Sequence, residues 1–563
     1  MSRLTSCWTV IVIVLMTTSI WGQSYFSGPE NATFDYANDR WLISNYSSGT
    51  VVEIDRYGRM KYFITGRPNC DAAAICDNTF YTGSHDHLAG YDLTTKELVF
   101  ELAVPEAALL NCMVADTSGY LYITDGMPGK IYKVNTSDGT YSVFVDGAIQ
   151  LPVGLYCDTT NNRLLVASTP AELAMIYAVD LADSSVSLIC TTSVGYIDAI
   201  TRDNWGNYYV SCDESGYGRV YRLDSAFQNA EMLFECRDWL GQLCYNQRNH
   251  VLAVPNFEAS EVAFVEPFFS AACDTNIGWV PFDIQLTATP ESGASSWLWD
   301  FGDGLTSEEQ SPTHTYQQPG FHDVSVSMTD DEGRTVSRTY YGMVSALADT
   351  MQAQPAEGES GSVVKMTVWA TNNVPVSIIK IPIEYAGDID LAMDSFSVAG
   401  TRTEHFNYAV FLHSDPLNKR RTIKLEALAS SNTAPLQPGS GPIANVFFTV
   451  GASAAAGDST IVQTDGYLQY EPSFSGWSFT YRPVTDSSVV RCVTCCQMRG
   501  DVDYSGQIDI SDVTYFVEYF IARGPAPPCD DAANIDGAGT LTISDLTYLV
   551  DYLFAAGQPP PAC

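Results

Sequence analysis

Positive charge is scarce in this chain. Its 563 residues carry 28 lysines and arginines against 66 aspartates and glutamates, a formal charge of −38. Such a field repels phosphate backbones and anionic lipid, which argues against nucleic acid or anionic membrane as partner and suits a salty, calcium-bearing exterior. Histidine is sparser still, at seven scattered residues, and no Ser-His-Asp arrangement follows from them. Long apolar runs are missing too. The stretch Thr9 to Met16 is well short of the ~20 residues a membrane span needs, and no later segment could cross a bilayer. A zinc pattern is also absent, because Cys492, Cys495 and Cys496 have no histidine partners in sequence.

The start of the chain reads as a secretory signal over residues 1–22. Arg3 gives the positive start, Thr9 to Met16 the apolar core, and Ser19-Ile-Trp-Gly22 a cleavage site before Gln23. Cys7 precedes the apolar stretch and is not placed for lipidation. The expected mature protein is secreted, extracellular or at the cell surface. Its 14 remaining cysteines, an even number, suit disulfides in an oxidising compartment. At this length several domains are expected.

The sharpest chemistry lies in the last seventy residues. The segment Asp501 to Asp512 recurs 33 residues on as Asn534 to Asp545. Oxygen side chains at positions 1, 3, 5, 9 and 12 and a glycine at position 6 are what a calcium loop needs; position 7 lends a backbone carbonyl. In the first loop the ligands are Asp501, Asp503, Ser505, the Gln507 carbonyl, Asp509 (through water) and Asp512. The second loop offers Asn534, Asp536, the Thr540 carbonyl and Asp545, with Ala538 and Thr542 where oxygen or carboxylate is wanted, so it should bind Ca2+ more weakly. Ile508 and Leu541 should join the loops by a short strand pair. Each loop runs into a helix whose apolar residues share one face: Val513, Phe516, Val517, Phe520 and Ile521, then Leu546, Leu549, Val550, Leu553 and Phe554. This duplicated unit, in an expected domain of residues 491–563, resembles a type I dockerin over residues 499–563, which implies a cohesin-type protein module as partner. In the duplication Cys496 and Cys529 hold equivalent places, five residues before each loop. The two-fold arrangement of such units brings their ends together, with Cys563 beside Cys495 or Cys496 and Cys529 pairing with the other.

Residues 23–267 carry a degenerate repeat of about 40 residues, anchored on short apolar strands such as Trp41 to Ser44, Leu121 to Thr124 and Val251 to Val254. Six all-β units at this spacing imply a six-bladed β-propeller, a period that two β-sandwiches would not give. Pro29-Glu-Asn, Leu151-Pro-Val-Gly154 and Ile197-Asp-Ala-Ile200 resemble NHL-repeat and gluconolactonase-like propellers. That resemblance implies a divalent metal in the channel held by a Glu, an Asn and an Asp. Asp198 matches the Asp and Glu30 lies near the Glu but out of register, whereas Val153 stands at the Asn and cannot ligate. The lactonase-like site is therefore incomplete.

Residues 268–346 contain Trp299-Asp-Phe-Gly-Asp-Gly304, Pro312-Thr-His-Thr-Tyr316 and Val324 to Met328. These resemble a PKD domain, an immunoglobulin-like sandwich with Trp299 and Phe301 in its core. Residues 347–490 alternate as strands, as in Val363 to Ala370 and Ile378 to Tyr385, and resemble a cohesin-like or carbohydrate-binding sandwich. Tyr467, Tyr470, Phe474, Trp477 and Tyr481 read either as a sugar-stacking face or as hairpin and core aromatics. The expected fold class is mainly β: a propeller, two sandwiches and a small helical calcium module. The leading functional expectation is a non-catalytic, secreted modular protein that binds or displays. A propeller hydrolase and a polysaccharide-binding protein are the alternatives, and docking onto copies of its own 347–490 module stays open. What separates them is whether three carboxylate or amide side chains converge in the propeller channel.

Overall fold

The computed structural model describes residues 13–14, 25–67, 69–170, 174–192, 194–291, 293–428, 433–476 and 479–563. Most of the expected signal lies outside the described residues. Of it, Ile13–Val14 is placed as a two-residue strand paired antiparallel with Glu261–Val265. Among the described residues no helix is long and apolar enough to cross a membrane. The chain divides into two compact units, residues 1–346 and 347–563.

The first unit opens with six four-stranded antiparallel sheets. The apolar anchors of the repeat fall on the second strand of each sheet, as in Arg40–Asn45 and Arg163–Ser168, where five of six residues are buried. These strands are covered on both faces, so they read as short continuous apolar runs. Fourth strands such as Val186–Thr191 are largely exposed and read weakly. The first strands are Pro29–Asp35, Ala73–Cys76, Leu110–Ala115, Pro152–Asp158, Tyr196–Arg202 and Cys244–Asn246. All six line one central cavity of about 270 Å³, so the sheets stand around it as a propeller-like ring. The ring closes by backbone hydrogen bonds from Gln242 N to Glu30 O (2.6 Å) and from Ala32 N to Gln242 O (3.0 Å).

A two-sheet sandwich completes this unit. Three strands (Phe269–Cys273, Phe282–Pro290, Thr313–Tyr316) face five, the longest being Gly320–Asp330 and Thr335–Leu347. Trp299 and Phe301 are buried in its core, as their spacing predicts, and Gly302 and Gly304 turn the chain with φ of 75° and 92°. The sandwich packs on the end of the ring where first strands turn into second strands. Trp205 meets Phe268 with ring centroids 5.0 Å apart, and Tyr57 meets Phe321 at 5.7 Å. Arg338, 2% exposed, ties the two together: it donates to Asn249 O, His250 O and Phe269 O, and pairs with Glu266 at 3.0 Å.

The second unit begins with a sandwich of a five-stranded sheet, centred on Val363–Asn372 and Gly439–Val450, against a larger sheet centred on Ile378–Gly387. Its first and last strands pair in parallel, Thr350–Ala353 with Val484–Asp486 and Ala356–Gly358 with Ser488–Cys492. Among the described residues the late aromatics are dispersed, with Tyr470 stacked on His413 at 4.3 Å. Phe474 and Tyr467 are buried, the Tyr481 hydroxyl bonds Asp349, and Trp477 lies outside the described residues.

The C-terminal module has two twelve-residue helices, Ile510–Ile521 and Ile543–Phe554. The expected single apolar face divides. Phe516 and Leu549 are buried, with Val513, Phe520, Leu546 and Leu553 packed about them, while Val517, Ile521, Val550 and Phe554 are exposed. Two short helices enclose a small core, and that core covers only a narrow stripe of each. Ile508 and Leu541 pack against this core without forming the expected strand pair. Disulfides join Cys495 to Cys529 and Cys496 to Cys563, which settles the open pairing; closing a loop of this length stabilises by about 4 kcal/mol in the chain-entropy model. The wider expectation of disulfides is corrected. Ten other described cysteines are unpaired, many buried on strands as small apolar residues, and Cys7 lies outside the described residues.

Replacing Arg338 by Met leaves the Glu266 carboxylate buried without its partner, at an expected cost of about 3–5 kcal/mol. Calorimetry of the full chain should show an earlier unfolding transition, mostly restored by adding Glu266→Gln. An unchanged transition would mean that the guanidinium does not hold this junction.

Candidate functional site

Two places gather carboxylates. The first is the mouth of the ring channel at the end where the first strands begin, opposite the PKD-like sandwich. Glu30 and Asp198 sit at irregularities in strand pairing, between Pro29 and Asn31 and between Ile197 and Ala199. A bulge inserts one unpaired residue and re-aims its side chain. Glu30 therefore stands out of register in the sequence because it is the inserted residue. Asp71 joins them from the connection ahead of Ala73–Cys76; its backbone N–H donates to Asn69 O and Gly83 O. At the same level a Cβ on Gly154 would lie 3.1 Å from Asp198 O, so the fourth and fifth first strands approach closely there.

The three carboxylates act on one another. Burial, with Asp198 and Asp71 facing it, pushes Glu30 well above the usual carboxylate range. Burial and Asp198 push Asp71 up to about 7, and burial raises Asp198 likewise. Tyr196 shares this mouth: burial, Asp198 and Glu30 hold its hydroxyl protonated up to about 12. Neighbouring amides satisfy each other, Asn31 Nδ2 donating to Gln242 Oε1 (2.6 Å) and Gln242 Nε2 to Asn111 O (2.7 Å). Asp71 was invisible to motif reading because it lies off the strand pattern. The signal that finds it is positional, since it precedes the first strand of its repeat much as Glu30 and Asp198 begin theirs.

The ligand set that the gluconolactonase resemblance implies for one divalent ion is incomplete at Val153. Val153 is buried and offers only a carbonyl, which accepts from Thr124 Oγ1 at 2.9 Å. Among the described residues, the set of three acidic, histidine or cysteine side chains with ligand atoms all within 4.8 Å of one another is Asp501, Asp503 and Asp512. Glu30, Asp71 and Asp198 are spread more widely than that.

That acidic set is the second place, the first of the two loops whose spacing predicts calcium. Asp512 is buried and accepts from Val502 N (2.6 Å), Asp503 N (3.1 Å) and Asp509 N (2.8 Å). Asp501 accepts from Ser505 N and Gly506 N, both at 2.8 Å, and Ser505 Oγ lies 3.3 Å from the Gln507 carbonyl. Asp509 stands apart. It caps the following helix, accepting from Ser511 N and Oγ at 2.7 Å. The oxygen set of Asp501, Asp503 and Asp512 suits a hard cation. In the second loop Asp545 accepts from Thr542 N (2.8 Å) and Asp536 N (3.3 Å), and Asp536 from Ala538 N (2.8 Å). The Asn534 carbonyl accepts from Arg499 Nη1 at 2.5 Å and its Nδ2 donates to Gly539 O, while Thr540 brings no side-chain charge.

Comparison with known proteins matches a PKD-domain family model to residues 266–344. A microbial collagenase of Vibrio alginolyticus is 43% identical over 68 residues, 12% of this chain and 8% of that protein. The pre-pro-metalloprotease PrtV of Vibrio cholerae serotype O1 is 37% identical over 88 residues, 16% and 9% respectively. The chain thus spans less than a tenth of these relatives. Among solved structures, a gluconolactonase from Xanthomonas campestris has a TM-score of 0.37 at 14% identity, covering 43% of this chain and 87% of its own. The sixth cohesin from Acetivibrio cellulolyticus scaffoldin B, in complex with a Cel5 dockerin, has a TM-score of 0.22 at 17% identity, covering 26% and 99%. Likeness of that size says nothing of what the chain binds.

Two outcomes follow from these sites. A carboxylate raised in the folded protein holds a proton that the unfolded chain has lost, so stability falls as pH rises from about 4 towards 7. Asp198→Asn should therefore stabilise the first unit by roughly 1–3 kcal/mol at pH 8 and by clearly less at pH 5. Equal effects at both pH values in thermal melts would show that Asp198 is not under strain. Calcium should add helix and thermal stability to a 491–563 fragment, and Asp501→Ala should remove most of that gain, because the carboxylates of Asp501, Asp503 and Asp512 converge there only at electrostatic cost. Equal circular dichroism in chelator and in calcium would refute this.

Proposed function

We propose that the chain is a secreted modular binding protein. A calcium-ordered, dockerin-like C-terminal module attaches it to an extracellular assembly, and a six-bladed propeller with two β-sandwich modules binds or displays. The observation that carries the reading is a pair of matching exposed stripes on the C-terminal helices. Ile510, Val517 and Ile521 recur 33 residues on as Ile543, Val550 and Phe554, with Ile521 at 69% and Phe554 at 63% exposure. Exposed apolar stripes of this kind mark contact surfaces, and the first loop sets the orientation of the first stripe because Asp509 and Asp512 cap its helix. The partner is a cohesin-type module, and residues 347–490 of a second copy are one candidate.

Full-length protein should capture such a partner, either the 347–490 fragment or a component of the native extracellular fraction, in calcium and release it in chelator. Because the stripes are equivalent, Ile521→Asp or Phe554→Asp alone should weaken capture modestly and the double change should abolish it. Capture that ignores both chelator and the double change would end this reading. The channel carboxylates favour one alternative, hydrolysis of a lactone or ester-like sugar derivative in the ring. It requires turnover that Asp198→Asn abolishes, and lack of turnover by the full chain removes it.

A further inference from the structure

We propose that the mouth of the ring channel is a receptor for an organic cation with several N–H donors, a guanidinium or a primary ammonium group. This deepens the reading of the propeller as a binding module by naming the class of its ligand. Glu30, Asp71 and Asp198 reach the mouth from three different sheets, and among the described residues no lysine, arginine or histidine pairs with any of them. Nor does any hydroxyl or N–H group donate to their side chains. Asp71 makes the anomaly plain: it is 5% exposed, and its Oδ2 is buried with no donor at all. Buried acceptors are almost always satisfied, and an exception calls for an ion or ligand.

The identity of that ligand follows from spacing and supply. The oxygens are too widely set for one divalent ion to touch all three residues. A guanidinium presents five N–H donors in a planar fork and an ammonium three, so either can bridge carboxylates that one small ion cannot. The nearby amides of Asn31 and Gln242 are already spent on each other. Apolar and aromatic side chains stand among the polar ones at this end of the ring. Tyr196, 42% exposed, stands beside Asp198 and Glu30, and exposed Leu151 and Trp239 lie on connections at the same end of the ring. Aromatic and aliphatic rims hold cationic stems by cation–π and apolar contact. The PKD domain packs at the opposite end and does not cover this mouth. The overall charge of −38 draws cations in.

Isothermal titration of the full chain tests this with two probes. Agmatine represents a free guanidinium amine, and the blocked peptide Gly-Arg-Gly represents an arginine side chain on a partner protein. Calcium is kept saturating throughout, so the C-terminal loop is silent. At least one probe should bind with a stoichiometry of one, and Asp71→Asn or Asp198→Asn should each weaken it by about tenfold or more. Tighter agmatine binding assigns the site to small amines; tighter peptide binding assigns it to a partner's arginine. The variants are expected to fold at least as well as the parent, and melts at pH 8 verify this. Binding of neither probe, binding unchanged in both variants, or displacement by a stoichiometric divalent ion would overturn the proposal. None of these outcomes touches calcium-dependent capture through the C-terminal stripes.

Discussion

Everything in the first unit depends on closing a ring of sheets on itself. The closure is backbone against backbone. Gln242 and residues 30–32, more than two hundred positions apart, exchange main-chain hydrogen bonds, and the Asn31 and Gln242 amides bond beside them. Gly241 makes this approach possible, since a Cβ there would stand 2.2 Å from Glu30 O. The seam also fixes Glu30: its carbonyl is held by Gln242, so its side chain is committed to the channel mouth, where Asp71 and Asp198 already lie. Crowding of the acids is thus a consequence of how the ring closes.

The sandwich behind the ring is fastened by a different means. Arg338 spends its donors on three carbonyls and one carboxylate, drawn from both the ring and the sandwich. Burial pushes Glu266 up and the guanidinium pulls it back. With apolar contacts at Trp205 and Tyr57 alongside, the junction is specified by charge and by aromatic fit together.

Much of this architecture was legible in the sequence, for identifiable reasons. Buried second strands repeat as short apolar runs, and a PKD core tryptophan sits in a long motif, so ring and sandwich could be read directly. The first acidic loop was equally plain, because its oxygen side chains stand at fixed offsets, and the structure brings Asp501, Asp503 and Asp512 together. The channel site was only half legible. Asp198 and Glu30 carried a motif, but the bulge that re-aims Glu30 looks in sequence like a slipped register, and Asp71 belongs to no pattern. The helix stripes misled in a similar way. Offsets of four and eight residues share a face with the core positions, yet Val517, Ile521, Val550 and Phe554 face outward because so small a core cannot cover them. The cysteines misled most: an even count suggested bridges, whereas on strands most of them serve as apolar filler.

The two disulfides of the C-terminal module carry a mechanical meaning. Cys496 and Cys563 join the two ends of the module, and Cys495 is joined to Cys529 at its midpoint. If tension enters through a partner gripping the helices and leaves through residue 494, the chain between the bonded cysteines cannot be drawn out past the covalent loop. The module can loosen without the chain paying out length. A module built in this way gives under load at its surface contacts before its own chain unravels.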